Sequence, residues 1–418
     1  MRAANHRWLA LAAVCAIMQL AGCASLGPRL PMETTDEIES EDIARGVRTL
    51  GADGEFELVS SRELARRLQA GLGERPLRIL ALSSGGASGA FGAGALAGST
   101  SGGERPEFTV VTGVSSGALV APFAFLGPAW DPEMTSIFTT GVTDRILQPR
   151  GLGALFGSSV YSGKPLRRLI EHYADDAMIA AIAAEAAKGR LLLIATTDFS
   201  SGEPVIWDLG SIALYGGKNA KPLFHSVLLA SASVPGMLPP VVVSFRSGGR
   251  LRRETHVDGG VTLPFFIAPA PEDLPQPTAG APRSTMVRVI IDGPLRNLPR
   301  PTHANALSVF SRSLSAGLSH ITRTQLEATM DAVRRRGVSI DYAAIPASYP
   351  LRGTFDFAAE TQRSLFEYAV SCAAADRLWI PAHTRRGGER KNESRPASAP
   401  ATCPADDSYI EHLAALTN

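Results

Sequence analysis

An apolar run, Phe108 to Thr112 (FTVVT), passes directly into Gly113-Val114-Ser115-Ser116-Gly117 and leaves as the apolar, small-residue stretch Ala118 to Phe125. β-Branched residues bounded by glycine predict a buried strand, and the segment after Gly117 predicts a helix. G-x-S-x-G between a strand and a helix is the context of a nucleophile elbow. Glycines at both ends allow a turn sharp enough to lift a serine hydroxyl out of the sheet edge. The following helix turns its amide groups and positive dipole end toward charge developing there. Strands of this kind belong to an α/β fold with a central, mostly parallel sheet.

The rest of the chain supplies the neighbours such a strand needs. Leu77 to Ser83 (LRILALS), Gly189 to Thr197 (GRLLLIATT), Val241 to Phe245, Met286 to Ile291 (MVRVII) and Val338 to Tyr342 predict further strands, with Glu203 to Leu209 as a hairpin partner of the third strand. Helical periodicity marks Ser61 to Leu72, Pro222 to Ser233, Ala304 to Arg336 and Thr361 to Trp379. Residues 23–76 are polar and charge-rich and are expected to form a linker and an amphipathic lead-in. Residues 77–270 are expected to hold the catalytic core, with 271–384 completing the domain and Pro269 to Arg283 as a surface insertion. Residues 385–418 read as a low-complexity tail, since Arg385 to Asp407 has clustered charge and few large apolar side chains. No internal repeat of fixed period is present.

The amino terminus predicts export. Arg2 and Arg7 precede an apolar run, Trp8 to Leu20, too short to span a bilayer, and Leu20-Ala21-Gly22-Cys23 matches a bacterial lipobox. On that match residues 1–22 are a signal peptide, Cys23 carries the lipid, and Ala24 favours the outer membrane, facing the periplasm. An uncleaved anchor, or a plain secretory signal with an incidental cysteine, is the alternative. Removal of the signal and acylation of Cys23 leave Cys372 and Cys403 as free thiols in an oxidising compartment. Their spacing leaves open whether they pair. With 41 basic and 40 acidic residues the net charge of +1 makes nucleic acid an unsuitable partner. No cluster of His, Cys, Asp and Glu has metal-ligand spacing, so neither metal nor cofactor is called for.

Two more blocks carry chemistry. Ser84-Gly85-Gly86-Ala87-Ser88-Gly89 lies between a strand and a helix, where glycine lets backbone amides approach a negative oxygen. It lacks the Gly-Lys-Ser/Thr ending of a nucleotide-phosphate loop. A helix-packing glycine cluster is the plainer alternative. Asp258-Gly259-Gly260 follows Ala230-Ser231-Ala232-Ser233-Val234-Pro235.

In this order the blocks resemble the patatin-like phospholipase family, whose members carry G-G-G-x-R/K-G, then G-x-S-x-G, then A-S-x-x-x-P, then D-G-G or D-G-A. The resemblance spans roughly Leu77 to Ala270. It implies a patatin-like three-layer sandwich in which Ser115 is the nucleophile, Asp258 its general base, and the amides of Gly85, Gly86 and Ala87 the oxyanion hole, with Gly113, Gly117, Gly259 and Gly260 as motif glycines. The implied activity is hydrolysis of a lipid or phospholipid ester through a Ser115 acyl-enzyme. Ser84 replaces the first glycine of the loop and Ser88 the usual cation, which bears on phospholipid preference more than on ester cleavage. A carboxylate with an ordinary pKa near 4 is a demanding base for a serine, so the oxyanion hole must supply much of the stabilisation. A histidine triad through His256, His303 or His320 is one alternative. Another is a non-catalytic envelope lipoprotein that uses the fold to bind lipid or a partner. Asp198, Asp208 and His225 read as structural residues, and protein partners stay unassigned.

Overall fold

The computed structural model of the chain describes residues 46–73, 75–103, 105–151, 157–275, 285–299, 301, 304–381 and 402–406. The signal peptide, Cys23, most of the Arg385 to Asp407 stretch and much of the predicted insertion lie outside these residues.

The chain begins with a hairpin, β1 (Gly46–Leu50) and β2 (Phe56–Ser60), followed by α1 (Ser61–Leu72). Next come β3 (Arg78–Leu82), α2 (Gly89–Ser101), β4 (Val110–Val114), α3 (Ser116–Leu126) and α4 (Asp131–Thr139). A two-residue ribbon pairs β5 (Gln148–Pro149) with β6 (Tyr161–Ser162), ahead of α5 (Lys164–Tyr173) and α6 (Asp176–Ala186). The hairpin β7 (Leu191–Asp198) and β8 (Pro204–Asp208) leads to α7 (Leu209–Tyr215) and α8 (Ala220–Ser231). A second hairpin, β9 (Val241–Ser247) and β10 (Arg250–Asp258), precedes β11 (Met286–Ile291), α9 (Ala306–Arg335), β12 (Ser339–Ala344), α10 (Ala359–Ala374) and β13 (Ile380–Pro381).

Eleven strands form one sheet in the order β13-β12-β11-β3-β4-β7-β8-β1-β2, with β10 on β7 and β9 on β10. Its centre, β12 through β7, is parallel, and the remaining pairs are antiparallel apart from β1 on β8. The central strands are apolar on both faces because both are covered. Leu80, Leu82, Val111, Leu192 and Ile194 pack toward the side of α2, α3, α6, α8 and α10. Ile79, Ala81, Val110, Leu193 and Ala195 pack toward Leu64 and Leu68 of α1 and Leu326, Met330 and Val333 of α9. The result is a three-layer α/β sandwich, as the sequence predicts.

The helix expected over Ser61 to Leu72 forms, capped by Ser60, whose side chain accepts from the Glu63 amide. Just before it, part of the stretch expected to be linker adds β1 and β2 to the sheet. Both strands are five residues long, and each buries only two large apolar side chains, one on either face of the sheet, so they do not stand out from a polar segment. At the other end Cys372 of α10 is joined to Cys403 by a disulfide, with Cα atoms 5.6 Å apart. The bridge ties residues 402–406 to the helix.

Candidate active site

Strand register brings Ser115 and Asp258 together from 143 residues apart. Strand β4 pairs with β7 up to Val114 opposite Ala195, and there β4 ends in the elbow. The end of β10 then takes over the vacated edge of β7, with Asp258 opposite Thr196, the very next residue. The serine and the acid therefore sit side by side at one sheet edge.

Ser115 has φ 55° and ψ −120°, a left-handed conformation that costs a non-glycine residue on the order of 1–3 kcal/mol. Two contacts hold it there. Its N–H donates to Ser231 Oγ at 3.0 Å, and Ser231 Oγ donates to the Ala195 carbonyl at 2.7 Å. Ser231, in the Ala230–Pro235 block, thus buttresses the elbow. Gly117 is required for close approach: a Cβ there would lie 2.5 Å from the Leu82 carbonyl oxygen and 2.6 Å from that of Ser83.

Ser115 Oγ donates to Asp258 Oδ2 at 2.6 Å, while Asp258 Oδ1 accepts from the Gly260 amide at 2.7 Å. The backbone of Asp258 is fixed as well, its N–H donating to the Ser233 carbonyl and its carbonyl accepting from Thr197 Oγ1. Ser115 and Asp258 are 4% and 3% exposed. Burial pushes the Asp258 carboxyl up to about 7, against the opposing hydrogen bonds from Ser115 and Gly260. The value near 4 of an ordinary carboxylate does not apply to this site, because the acid is desolvated with no cation beside it among the described residues.

The glycine loop lies over the same edge. Gly86 has φ +59°, and a Cβ there would fall 2.4 Å from the Thr354 carbonyl oxygen. Of the three amides assigned to the oxyanion hole, Ala87 must be set apart: its N–H donates to Thr354 O at 2.8 Å. Those of Gly85 and Gly86 have no acceptor among the described residues. Gln362, buried in α10, donates to the Ala87 carbonyl at 2.5 Å, so both polar groups of the Ala87 backbone are bound by the carboxyl-terminal part of the chain. Beneath the loop lies Asp292, 2% exposed. Its N–H donates to Ser83 Oγ and its Oδ1 accepts from the Gly92 amide, each at 2.9 Å, and its Oδ2 has no hydrogen-bond partner. Burial raises the Asp292 carboxyl well above the usual carboxylate range. Gln362, Thr354 and Asp292 escaped the sequence reading because they stand outside every motif. The only available hint was an Asp-Gly at the end of a predicted strand.

No histidine among the described residues hydrogen-bonds Ser115 or Asp258. His256 joins a buried chain through Thr196 Oγ1 to the Trp207 indole and through Glu254 to Arg48. Burial pushes the Glu254 carboxyl up, but the bond to His256 and the charge of Arg48 outweigh it and hold the group at about 2. His225 bonds to the Ala174 carbonyl, His320 lies near Arg323, and His303 is outside the described residues. Asp198 binds Ser200 and Ser201 in its turn, and Asp208 caps α7 through the Ser211 amide.

Two cavities touch the glycine loop. One of about 570 Å³ touches Ser84, Gly85 and Ser88 and runs along α9. The other, about 70 Å³, touches Gly86 and Ser116 and is walled by Leu119, Pro122, Phe123, Ile137 and Phe138. Leu119 and Phe123, noted as apolar residues near the elbow, thus line a cavity. Val120 and Phe125 belong to the core.

A strand, elbow and helix at the edge of a mostly parallel, three-layer sheet define an α/β domain built around a buried, strained turn. The family model for patatin-like phospholipase matches residues 80–270, and this part of the chain is a patatin-like phospholipase domain. Hydrolysis of lipid acyl esters is the activity that goes with the family. No curated protein matches the chain. Among solved structures, VipD from Legionella pneumophila is similar at 11% identity over 83% of this chain and 73% of that one, with a TM-score of 0.29.

Proposed function

We propose that the protein is a lipid acyl hydrolase working through a Ser115–Asp258 dyad. The observation that carries this reading is the 2.6 Å bond from Ser115 Oγ to the buried Asp258 carboxylate, made at an elbow held in a left-handed conformation. Asp258 takes the Ser115 proton as Oγ attacks the ester carbonyl carbon, and the carbonyl oxygen, now negative, accepts from the amides of Gly85 and Gly86. Collapse expels the alcohol, which receives its proton from Asp258. A water then loses a proton to Asp258 and attacks the acyl-enzyme; collapse breaks the acyl–Oγ bond, Asp258 returns the proton to Ser115 Oγ, and the acid is released. A base with a pKa near 7 suits this exchange better than an ordinary carboxylate. The small apolar cavity beside Gly86 and Ser116 takes the start of the acyl chain. Acylation of Cys23 would hold the enzyme at the periplasmic face of the outer membrane, next to its substrates.

The test is hydrolysis of p-nitrophenyl butyrate and of phospholipid by signal-less protein, wild type against Ser115→Ala and Asp258→Asn. Turnover confined to wild type supports the dyad. A folded wild type that turns over neither substrate sinks it and leaves the lipid-binding or partner-binding lipoprotein as the better reading.

A further inference from the structure

Residues 293–326 contain Arg296, Arg300, Arg312 and Arg323, two histidines and no aspartate or glutamate, in a chain whose 41 basic residues are matched by 40 acidic ones. Most of α9 falls in this stretch. The stretch also carries Leu298, Val309, Phe310 and Ile321, which are between 39% and 52% exposed. They are four of the eleven exposed large apolar side chains among the described residues, and the other seven are spread over residues 58–261. Single exposed apolar residues are ordinary, as Phe199 is in a turn flanked by Asp198 and Glu203. A group of them in an acid-free, basic stretch is not.

Helix α9 has two apolar faces. In its second half Leu326, Met330 and Val333 are buried in the core. In its first half Phe310, Leu314, Gly317 and Ile321, spaced i, i+4, i+7 and i+11, line up on the side turned away from those three. Phe310, Gly317 and Ile321 are exposed and Leu314 is half-buried. The row is open at its centre, where a Cβ added at Gly317 would meet no atom within 4 Å. Arg312, His320 and Arg323 follow one edge of the row. Arg312 Nη2 donates to the Leu298 carbonyl, which brings the 293–299 loop beside the helix, and Arg323 Nη2 lies 3.0 Å from His320 Nδ1. Asp356 is across the cavity on the helix's other side, its oxygens accepting from the Ala358 amide and Thr361 Oγ1.

Two occupants fit this face poorly. A second copy of the chain would set like charges against each other, and four half-exposed side chains offer on the order of a few hundred Å², short of the roughly 800 Å² per partner of a stable interface. Nucleic acid would take the arginines and leave the apolar row in water. An anionic bilayer satisfies both, with apolar side chains at the boundary between headgroups and acyl chains and guanidinium groups against lipid phosphates.

We propose that the first half of α9, with the 293–299 loop, docks on the surface of an anionic phospholipid bilayer, Phe310, Leu314 and Ile321 entering the headgroup layer. The other face of the same turns lines the cavity that touches Ser84 and Gly85, so a docked bilayer lies one helix diameter, about 10 Å, from that cavity. Docking does not depend on the reaction at Ser115.

The test uses signal-less Ser115→Ala protein, which carries no lipid chain of its own and is chosen so that hydrolysis does not alter the vesicles. It is sedimented with vesicles of phosphatidylcholine alone and of phosphatidylcholine with an equal part of phosphatidylglycerol. Binding to the mixed vesicles should be about tenfold stronger at low ionic strength and should fall toward the phosphatidylcholine value as salt is raised. Phe310→Glu combined with Ile321→Glu, with thermal unfolding unchanged, should weaken binding to the mixed vesicles by about tenfold or more, whereas Phe199→Glu should leave it as it was. A milder variant, Phe310→Trp, reports the contact directly: its added emission should shift to the blue on mixed vesicles. No binding to mixed vesicles, equal binding to both kinds, binding that survives the double substitution, or a Phe310→Trp emission that does not move overturns the proposal.

Discussion

Ser115 and the Gly85–Ala87 loop follow neighbouring parallel strands, β4 and β3, yet the chain holds them by different means. Ser115 is held from within the residues that match the family: the end of β4, the start of α3, the Leu82 and Ser83 carbonyls against Gly117, and the Ser231 hydroxyl, 116 residues on, beneath its amide. The loop is fixed from a distance. Thr354 and Gln362 bind both polar groups of Ala87, and Asp292 backs Gly85, all three from beyond the residues that match the family. The serine elbow is thus set by strand geometry within the matched segment, whereas the glycine loop depends here on elements 200 or more residues further along the chain.

If that contrast holds, damage to the first region abolishes the reaction and damage to the second grades it. The largest effect belongs to Ser115→Ala and Asp258→Asn, each expected to lower kcat by about a thousandfold or more with the fold intact by circular dichroism. Gly86→Ala comes next. A methyl at φ +59° meeting the Thr354 carbonyl should shift the loop and lower kcat on the order of a hundredfold, the scale of losing an oxyanion donor. Gln362→Leu, which leaves the Ala87 carbonyl without its donor, should lower kcat by about tenfold with little change in KM and none in the pH midpoint. An effect on KM alone would place Gln362 in substrate binding and break the comparison.

The same contrast explains what was legible in the sequence. The elbow, the glycine loop and Asp258-Gly259-Gly260 show as short motifs because backbone geometry restricts which residues fit within a few positions of each other. The central strands show as unbroken apolar runs because both sheet faces are covered. Thr354, Gln362 and Asp292 carry no such signature, for they act through contacts that only the folded sheet creates. The Ala87 amide was misassigned for that reason, since its acceptor lies in a loop with no pattern of its own. β1 and β2 are illegible for a different one: five-residue strands that bury only two large apolar side chains each look like polar linker.

Smaller effects sharpen the picture through stability. The folded Asp258 carboxyl is raised to about 7 from an unfolded value near 4, so the stability that comes from keeping it protonated is present below about pH 4 and is lost as pH rises through 7. Asp258→Asn should remove that slope, seen as a Tm difference between variant and wild type that grows from pH 4 to pH 7. Replacing Cys372 and Cys403 by serine should cost about 3 kcal/mol in denaturant unfolding, given the 31-residue separation. Any loss of activity in that variant should follow from α10 loosening its hold on Ala87 and should not exceed the effect of Gln362→Leu.

The claim at the centre is that Ser115 is the nucleophile and Asp258 its base. Labelling with a fluorophosphonate, read by intact mass and peptide mapping, addresses both at once. One adduct is predicted, on Ser115. It should be absent from Ser115→Ala and much slower to form in Asp258→Asn, and in wild type its rate should rise with pH to a plateau above about 7. An adduct on another residue, or a folded wild-type protein that reacts at none, would contradict the account.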